Sequence, residues 1–431
     1  MKIFMILSML LAGGPWSLHD CIQYAIAHNL SIQQSALKVE QKKIALNTAK
    51  NRRLPNLSAS ATPNFSFGRG LTADNTYDNT NTVSIGFSTG TSITIYQGSD
   101  INNNIKMSKL DLAASISDLE KAKNDIKMAI AGAYSEVLYN QEILRVENSQ
   151  ANTDSLLLIR LDAMKQAGKV NASDVAAQKS LLYQSKLRVT QANNNLNLSI
   201  LNLTQLLELE SPEDFSIVSP DLEGLEIRSL LNPDQIFSKA VETKPEIKAE
   251  ELRLDYAKTT IARAKGGYLP IISFGGGIES NYYSASNRSS EAFGKQLKNN
   301  FSQYIGLSIN VPIFNRHATL NEVQNAKISY TAQKLELQNV KKALYKEIQQ
   351  AYYNALASIS KYKSSKEAEE SALTSYKFMQ AKYENGKANV TEYNESKNRY
   401  LEAEANYLQA QYEYLYMVML LDFYCGKELD F

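Results

Sequence analysis

The chain carries two copies of one unit, and that duplication limits the folds open to it more than any other feature. Residues 17–55 fall on 232–270 without a gap, so that Ala25 meets Ala240, Ile32 meets Ile247, Leu37 meets Leu252 and Leu54-Pro55 meets Leu269-Pro270. Residues 95–207 fall on 313–425 in the same way: Ile95 meets Ile313, Ala133-Tyr134 meets Ala351-Tyr352, Gly168-Lys169 meets Gly386-Lys387 and Asn171 meets Asn389. A long repeat present twice is a duplicated unit and not an open solenoid. The expected organisation is a first repeat at 17–207, a linker at 208–231 that reads as surface structure, a second repeat at 232–425 and a tail at 426–431.

Each copy has four parts. The first, about 17–53 and 232–267, has apolar or small residues at helical spacing, as in Ile22, Ala25, Ile26 and Ala36. Pro245 breaks the second of these helices near Lys244, and the matching break in the first copy falls at Asn29-Leu30. The second part changes period. Val83, Ile85, Phe87, Ile93 and Ile95 alternate with small or polar residues, as do Ile305, Leu307, Ile309, Val311 and Ile313. A period of two marks strands with one apolar face. A partner strand precedes each, so hairpins are expected at 56–97 and 271–315, joined by polar loops at 69–81 and 284–302. Such strands are long enough to cross a bilayer at the tilt of a barrel.

The third part is a helix uninterrupted by proline, about 98–167 and 316–385. Ile116, Ile130, Val137, Leu144, Ala151 and Leu158 follow a seven-residue stride, with a lapse at Lys123. Gly168 and Gly386 end the long helices. A return helix follows, with Val175, Leu182, Val189, Leu196 and Leu203 at the same stride in the first copy and Tyr393, Tyr400, Tyr407, Tyr414 and Leu421 in the second. This is a packing seam. Ser173 or Thr391 is the expected N-cap of the return helices, with Asp174 and Glu392 as favourable first-turn charges.

The fold class that follows is mainly α with a β-hairpin membrane part: a duplicated, coiled-coil helical portion plus four strands per chain. Four strands cannot close a membrane barrel alone, so copies must share one. The run Ile3–Ala12, preceded by Lys2 and followed by Gly13-Gly14-Pro15, reads as a signal peptide at 1–14. A net charge of +1 gives no bulk attraction to nucleic acid. The three histidines form no close cluster and the two cysteines, Cys21 and Cys425, are far apart, which points to no metal, cofactor or Cys/His nucleophile; whether the cysteines pair is left open. A trimeric coiled-coil scaffold or adhesin would explain the heptads but not the paired hairpins. No Ser/His/Asp set or phosphate loop suggests an enzyme.

The duplicated order of helix, hairpin, long helix, glycine turn and return helix resembles the TolC outer-membrane efflux family. So do Trp16-Ser17-Leu18, Cys21-Ile22, Ala25 and Asn29, the Leu-Pro before each hairpin, and the glycine turn followed six residues on by Asp174 or Glu392. The resemblance covers residues 16–425. It implies a homotrimer in outer-membrane lipid with a twelve-stranded barrel and a periplasmic helical tunnel. It also implies docking through a periplasmic adaptor (a membrane fusion protein) onto an inner-membrane pump, with the duct itself passive and serving efflux or type I secretion. By the same resemblance, Glu392 and Glu395 are the acids that close the tunnel tip. Asp174 and Tyr383 are a pair that ties helices shut, and the turns Gly168-Lys169 and Gly386-Lys387 form the tip where the adaptor docks. The arginine that reinforces the tie in the family falls here on Ala388.

Overall fold

The computed structural model describes residues 14–71, 75–220, 227–286 and 288–429. The expected signal segment and the end of the carboxy-terminal tail lie outside these described residues. The first copy runs α1 (Leu18–His28), α2 (Leu30–Asn51), β1 (Asn56–Ser66), a short ribbon of β2 (Arg69–Leu71) and β3 (Tyr77–Asn79), β4 (Thr82–Gln97), α3 (Asp100–Gln166) and α4 (Ala172–Leu206). The second runs α5 (Pro233–Thr243), α6 (Pro245–Lys265), a 3₁₀ turn, β5 (Ile271–Ala285), α7 (Phe293–Asn299), β6 (Ser302–Asn310), α8 (Ala318–Glu384) and α9 (Val390–Tyr424). Both long helices, α3 and α8, have 67 residues.

Each copy opens with a broken helix, and the breaks sit where proline and asparagine place them. Asn29 and Lys244 both leave helical geometry, at ψ 128° and 127°. The two copies secure the break with different chemistry. Asn29 Oδ1 accepts from Ser31 N at 3.0 Å while its Nδ2 donates to the Leu206 carbonyl at 3.1 Å. Lys244 reaches the Phe423 carbonyl at 3.5 Å and lies 3.9 Å from the Phe423 ring centroid. In both cases a side chain from the break meets a carbonyl at the end of the return helix, where unpaired carbonyls collect.

The chain divides into two compact units. Among the described residues, one comprises 14–37, 117–220, 227–248 and 338–429; the other comprises 38–71, 75–116, 249–286 and 288–337. The main core of the first unit gathers Leu18, Cys21, Ile22 and Ala25 of α1, Ile130, Tyr134 and Val137 of α3, Leu203 and Leu207, and Tyr412 and Phe423 of α9. The linker contributes to it, which corrects the surface reading: Ile217 is 6 % exposed. The reason is a backbone bridge, in which Trp16 N donates to Ser216 O at 2.8 Å and Val218 N to Trp16 O at 2.9 Å. The Tyr134 hydroxyl fastens the same segment through the Val218 carbonyl at 2.6 Å. Cys21 and Cys425 are free thiols, and burial, helped by the Asp20 charge, pushes Cys21 up to about 12. The tyrosine stride of α9 packs as stacked rings, Tyr362 on Tyr407 and Tyr414, and Tyr376 on Tyr400.

The second unit holds an antiparallel sheet in the order β1-β4-β5-β6. Its register aligns one side chain set across all strands. Phe65 pairs with Val83 and Pro63 with Ile85. Ile85 pairs in turn with Tyr282 and Ile93 with Phe274. Phe274 pairs with Leu307 and Ile272 with Ile309. Because side chains alternate between faces, these residues form one apolar face. The opposite face carries Ser58, Ser60, Thr62, Ser84, Gly86, Ser88, Gly275, Gly277, Gly306 and Ser308. Two details depart from expectation. The register shifts between Thr94 and Tyr96, so Tyr96 stands opposite Ile272 and Ile95 is the extra residue of a bulge. And β6 ends at Asn310, leaving Val311 and Ile313 outside the strand, since Pro312 lacks an N–H to continue the ladder. The loops are not bare either: one contains the β2–β3 ribbon and the other α7.

The strands enter and leave the helices through a close glycine contact. A Cβ on Gly98 would stand 2.2 Å from the Gly266 carbonyl oxygen, and Gly98 has φ +54°. No other residue fits there without moving backbone.

The two faces make a direct prediction. Lysine at Ile85 or Leu307 costs about 2–4 kcal/mol in a bilayer if those residues lie near its mid-plane. Lysine at Ser84 or Ser308 costs far less. Denaturant titration of the protein in lipid vesicles measures the difference; equal costs on the two faces would contradict the register.

Candidate functional site: the glycine turns and the helices behind them

Both turns have the same backbone construction. Gly168 and Gly386 have φ of +72° and +69°, the left-handed geometry that glycine adopts without strain. Lys169 N donates back to Met164 O at 2.9 Å and Lys387 N to Lys382 O at 2.8 Å. This bond from the third residue past the helix satisfies a carbonyl of its last turn. Gly168, Lys169, Gly386 and Lys387 are all exposed.

The return helices start two residues earlier than expected. Their N-caps are Asn171 and Asn389, not Ser173 and Thr391. Asn389 Oδ1 accepts from Glu392 N at 2.9 Å and Asn389 N donates to Glu392 Oε2 at 3.0 Å, a reciprocal capping box. Asn171 N donates to Asp174 Oδ2 at 3.3 Å in the first copy. Glu392 and Asp174 therefore both have a local structural partner. Glu395, one turn on, is exposed and pairs with Arg399 at 2.7 Å.

Tyr383 stacks on Tyr393 at 4.9 Å, with the Arg160 guanidinium 5.7 Å from its ring centroid. Burial pushes the Tyr383 phenol up; the Arg160 charge opposes this and the Asp174 charge adds to it. The hydrogen bond of Asp174 is to Asn171 N and the ring partners of Tyr383 are Tyr393 and Arg160. The structure thus supplies a cation near this tyrosine, on α3 rather than in the turn. Both turns rest on one small core of Leu157, Leu161, Val175 and Tyr393, against which Val170, Val390 and Tyr383 pack.

Behind that core lies a site that the sequence pattern did not reveal. Asp154 of α3 and Lys397 of α9 form an ion pair with side chains 2 % and 3 % exposed. Asp154 also accepts from Ser185 Oγ, from Gln150 at 2.8 Å and from Gln178 at 3.2 Å. Asn394 Nδ2 donates to Gln178 at 3.2 Å, and Arg188 NH2 to Ser185 at 3.0 Å. The Asn394 Oδ1 is buried without a hydrogen-bond partner. Burial by itself raises the Asp154 carboxyl. The hydrogen bonds from Lys397 and Ser185 and the Lys397 charge outweigh it and hold the group below its ordinary range. Lys397 is pulled down, because burial outweighs the help it receives from Asp154. The network joins α3, α4 and α9 just behind the turns. No short-range spacing announces it, since its two charges are 243 residues apart in sequence.

A family model described as outer membrane efflux protein matches residues 21–208 and again 236–427, once per copy. The chain belongs to the outer membrane efflux protein family. It is 23 % identical over 368 residues to the outer membrane protein TolC of Escherichia coli strain K12, covering 83 % of this chain and 72 % of that protein. Its structure is similar to the Campylobacter jejuni CmeC outer membrane channel, with a TM-score of 0.80 and 17 % identity over 96 % of this chain and 87 % of that one. A membrane protein from Pseudomonas aeruginosa gives 0.79 and 17 % over 95 % and 92 %. At such identity the structural likeness concerns the fold, a duplicated helical tunnel with barrel strands. As a member of the outer membrane efflux protein family, the chain is an outer-membrane exit duct with a long periplasmic portion. The family is one of transport channels, not of enzymes.

The buried pair generates a prediction. Lys397→Ala leaves a charged carboxylate buried without its partner and costs about 3–5 kcal/mol. Replacing both residues, Asp154→Leu with Lys397→Met, recovers most of that loss. Because the folded carboxyl lies below its unfolded value, its stabilising share is complete above pH about 4 and is lost as the pH falls through the folded value. Thermal melts of the wild type and variants between pH 3 and 7 check both statements; a double replacement as unstable as the single one would contradict them.

Proposed function

We propose that three copies of the chain assemble one passive duct, to which each contributes four strands of a twelve-stranded barrel. The observation that carries this reading is the sheet itself: one continuous apolar face, one face of small and polar residues, and two outer strands with unpaired edges. The apolar face lies against hydrocarbon and the polar face lines a wet lumen. The number three comes from the family resemblance. The helices form the periplasmic tunnel. The exposed Gly168-Lys169 and Gly386-Lys387 turns meet a periplasmic adaptor, which couples the duct to an inner-membrane pump that supplies the energy.

Glu392 and Glu395 form the narrowest acidic ring of the closed tip, six carboxylates from three chains. Like charges close together attract cations, most strongly where water is confined. The Arg399 side chain, paired with Glu395, offsets part of that field. Asp174 and Tyr383 tie the helices together at the tip, and Arg160 over the Tyr383 ring takes the reinforcing role that the resemblance gives to an arginine at the position of Ala388.

Planar-bilayer recordings of the purified protein test this reading. The wild type conducts with a preference for cations and is partly blocked by divalent ions. Glu392→Gln with Glu395→Gln removes both properties, and Arg399→Gln strengthens both. Unchanged selectivity in all variants would leave these acids only their role at the start of α9.

A further inference from the structure

The loop between β5 and β6 folds back onto the sheet, and it does so on the apolar side. Phe293 of α7 packs against Tyr282 at 5.1 Å and Phe87 at 6.1 Å between ring centroids. Ser280 Oγ donates to the Leu297 carbonyl at 2.7 Å. Phe87 pairs with Ser280 and Ile85 with Tyr282, so all of these contacts lie on the face of Val83, Ile85 and Leu307. The helix is also tied to the β5 backbone beyond the point where β6 begins. The Gln296 amide accepts from Tyr283 N and donates to Tyr283 O, both at 2.9 Å, and so takes the place of a neighbouring strand.

Phe87 and Ser280, which α7 touches, also line a furrow in the apolar face. This groove, of about 440 Å³, is lined by the small side chains of Ala59, Ala61 and Ser280 and the large ones of Phe87, Ile278 and Phe301. Small residues on β1 beside large ones on β4 and β5 leave this channel, and Ile278 and Phe301 remain 47 % and 54 % exposed. Phe293, Gln296 and Leu297 turn toward the sheet, while Lys295 and Lys298, three apart on one side of the helix, are exposed. Lys295 is steadied by Glu291 at 2.6 Å. The α7 end of the sheet is the loop end; the opposite strand ends lead into the long helices. In an outer-membrane duct with a periplasmic helical portion, the loop end faces outward. A short helix with apolar contacts below and lysines above, beside a hydrocarbon-facing groove, sits at the depth of the lipid headgroups.

We propose that this groove and the lysines of α7 form a binding site for a phosphate-bearing, multiply acylated lipid of the outer leaflet. An acyl chain fills the channel over Ala59 and Ala61, and the lipid phosphate meets Lys295 and Lys298. Lipid and helix then cover the rim of the sheet together. The inference rests on the apolar face being the lipid face.

Native mass spectrometry of the full chain, purified in mild detergent, measures it with hexa-acyl lipid A carrying both phosphates and with the same lipid after dephosphorylation. The wild type retains the phosphorylated form by roughly tenfold or more over the other, since basic residues beside an anionic headgroup each add to its retention. Lys295→Gln with Lys298→Gln, exposed positions that leave the fold intact, abolishes the preference. Ala61→Phe, which fills the groove, lowers retention of both forms. Equal retention of the two lipids by the wild type, or an unchanged preference in the double Gln variant, overturns the proposal. A fluorophore on Ala61→Cys separates this failure from failure of the underlying reading. Quenching by brominated acyl chains without any lipid preference removes only the lipid site. Quenching by aqueous iodide alone shows that the face is not in lipid and removes both.

Discussion

The hydrogen bonds missing from the two outer edges of the sheet govern everything else in this chain. β1 and β6 each pair on one side only. In water an open edge is a liability that charge or proline can blunt. In hydrocarbon no solvent exists to satisfy the groups, each costing several kcal/mol, and the sheet cannot persist open. The apolar face formed by Ile85, Phe274 and Leu307 has no comparable partner in water either. On the reading proposed above, the sheet is completed in a membrane and beside other copies. The close contact of Gly98 with Gly266 then fixes how strands join helices.

Duplication supplied the four strands, and the two copies have since diverged in how they solve the same local problem. The helix break is held by an amide in one copy and by an ammonium over an aromatic ring in the other. The return-helix seam is aliphatic in α4 and built of stacked tyrosines in α9. The backbone of the glycine turns, in contrast, is the same in both. Divergence in side chains over a constant backbone gives the two turns different surfaces.

Features that depend on neighbouring residues were legible in the amino-acid sequence. Proline and asparagine located the helix breaks, period two located the strand faces, and glycine located the turns. Features that depend on distant residues were not. The expected N-caps were Ser173 and Thr391, although the asparagines two residues earlier carry the same chemistry, and Asn389 Oδ1 reaches the backbone of Glu392. The bulge that replaces Ile95 with Tyr96 depends on the opposing strand, which the period of β4 alone does not reveal. Ile217 looked like surface because its partner, Trp16, lies at the far end of the first copy. Asp154 and Lys397, far apart in sequence, are brought together only by the fold. Around the two turns the glycines were legible; Arg160, beside Tyr383, was not, because it approaches from another helix.

The central claim is that the free edge of β1 in one copy is closed by β6 of the next. A single cysteine at Ser60, on the outer strand, combined in turn with one cysteine at Tyr304, Gly306 or Ser308 in β6, measures this in native membranes under mild oxidation. β1 and β6 are the two outer strands of one sheet, separated by β4 and β5, so these positions cannot bond within a chain. The account predicts that at least one combination yields a covalent ring of three chains while neither single cysteine does. Cross-linked species absent from every combination, with the protein still inserted in the membrane, would contradict it.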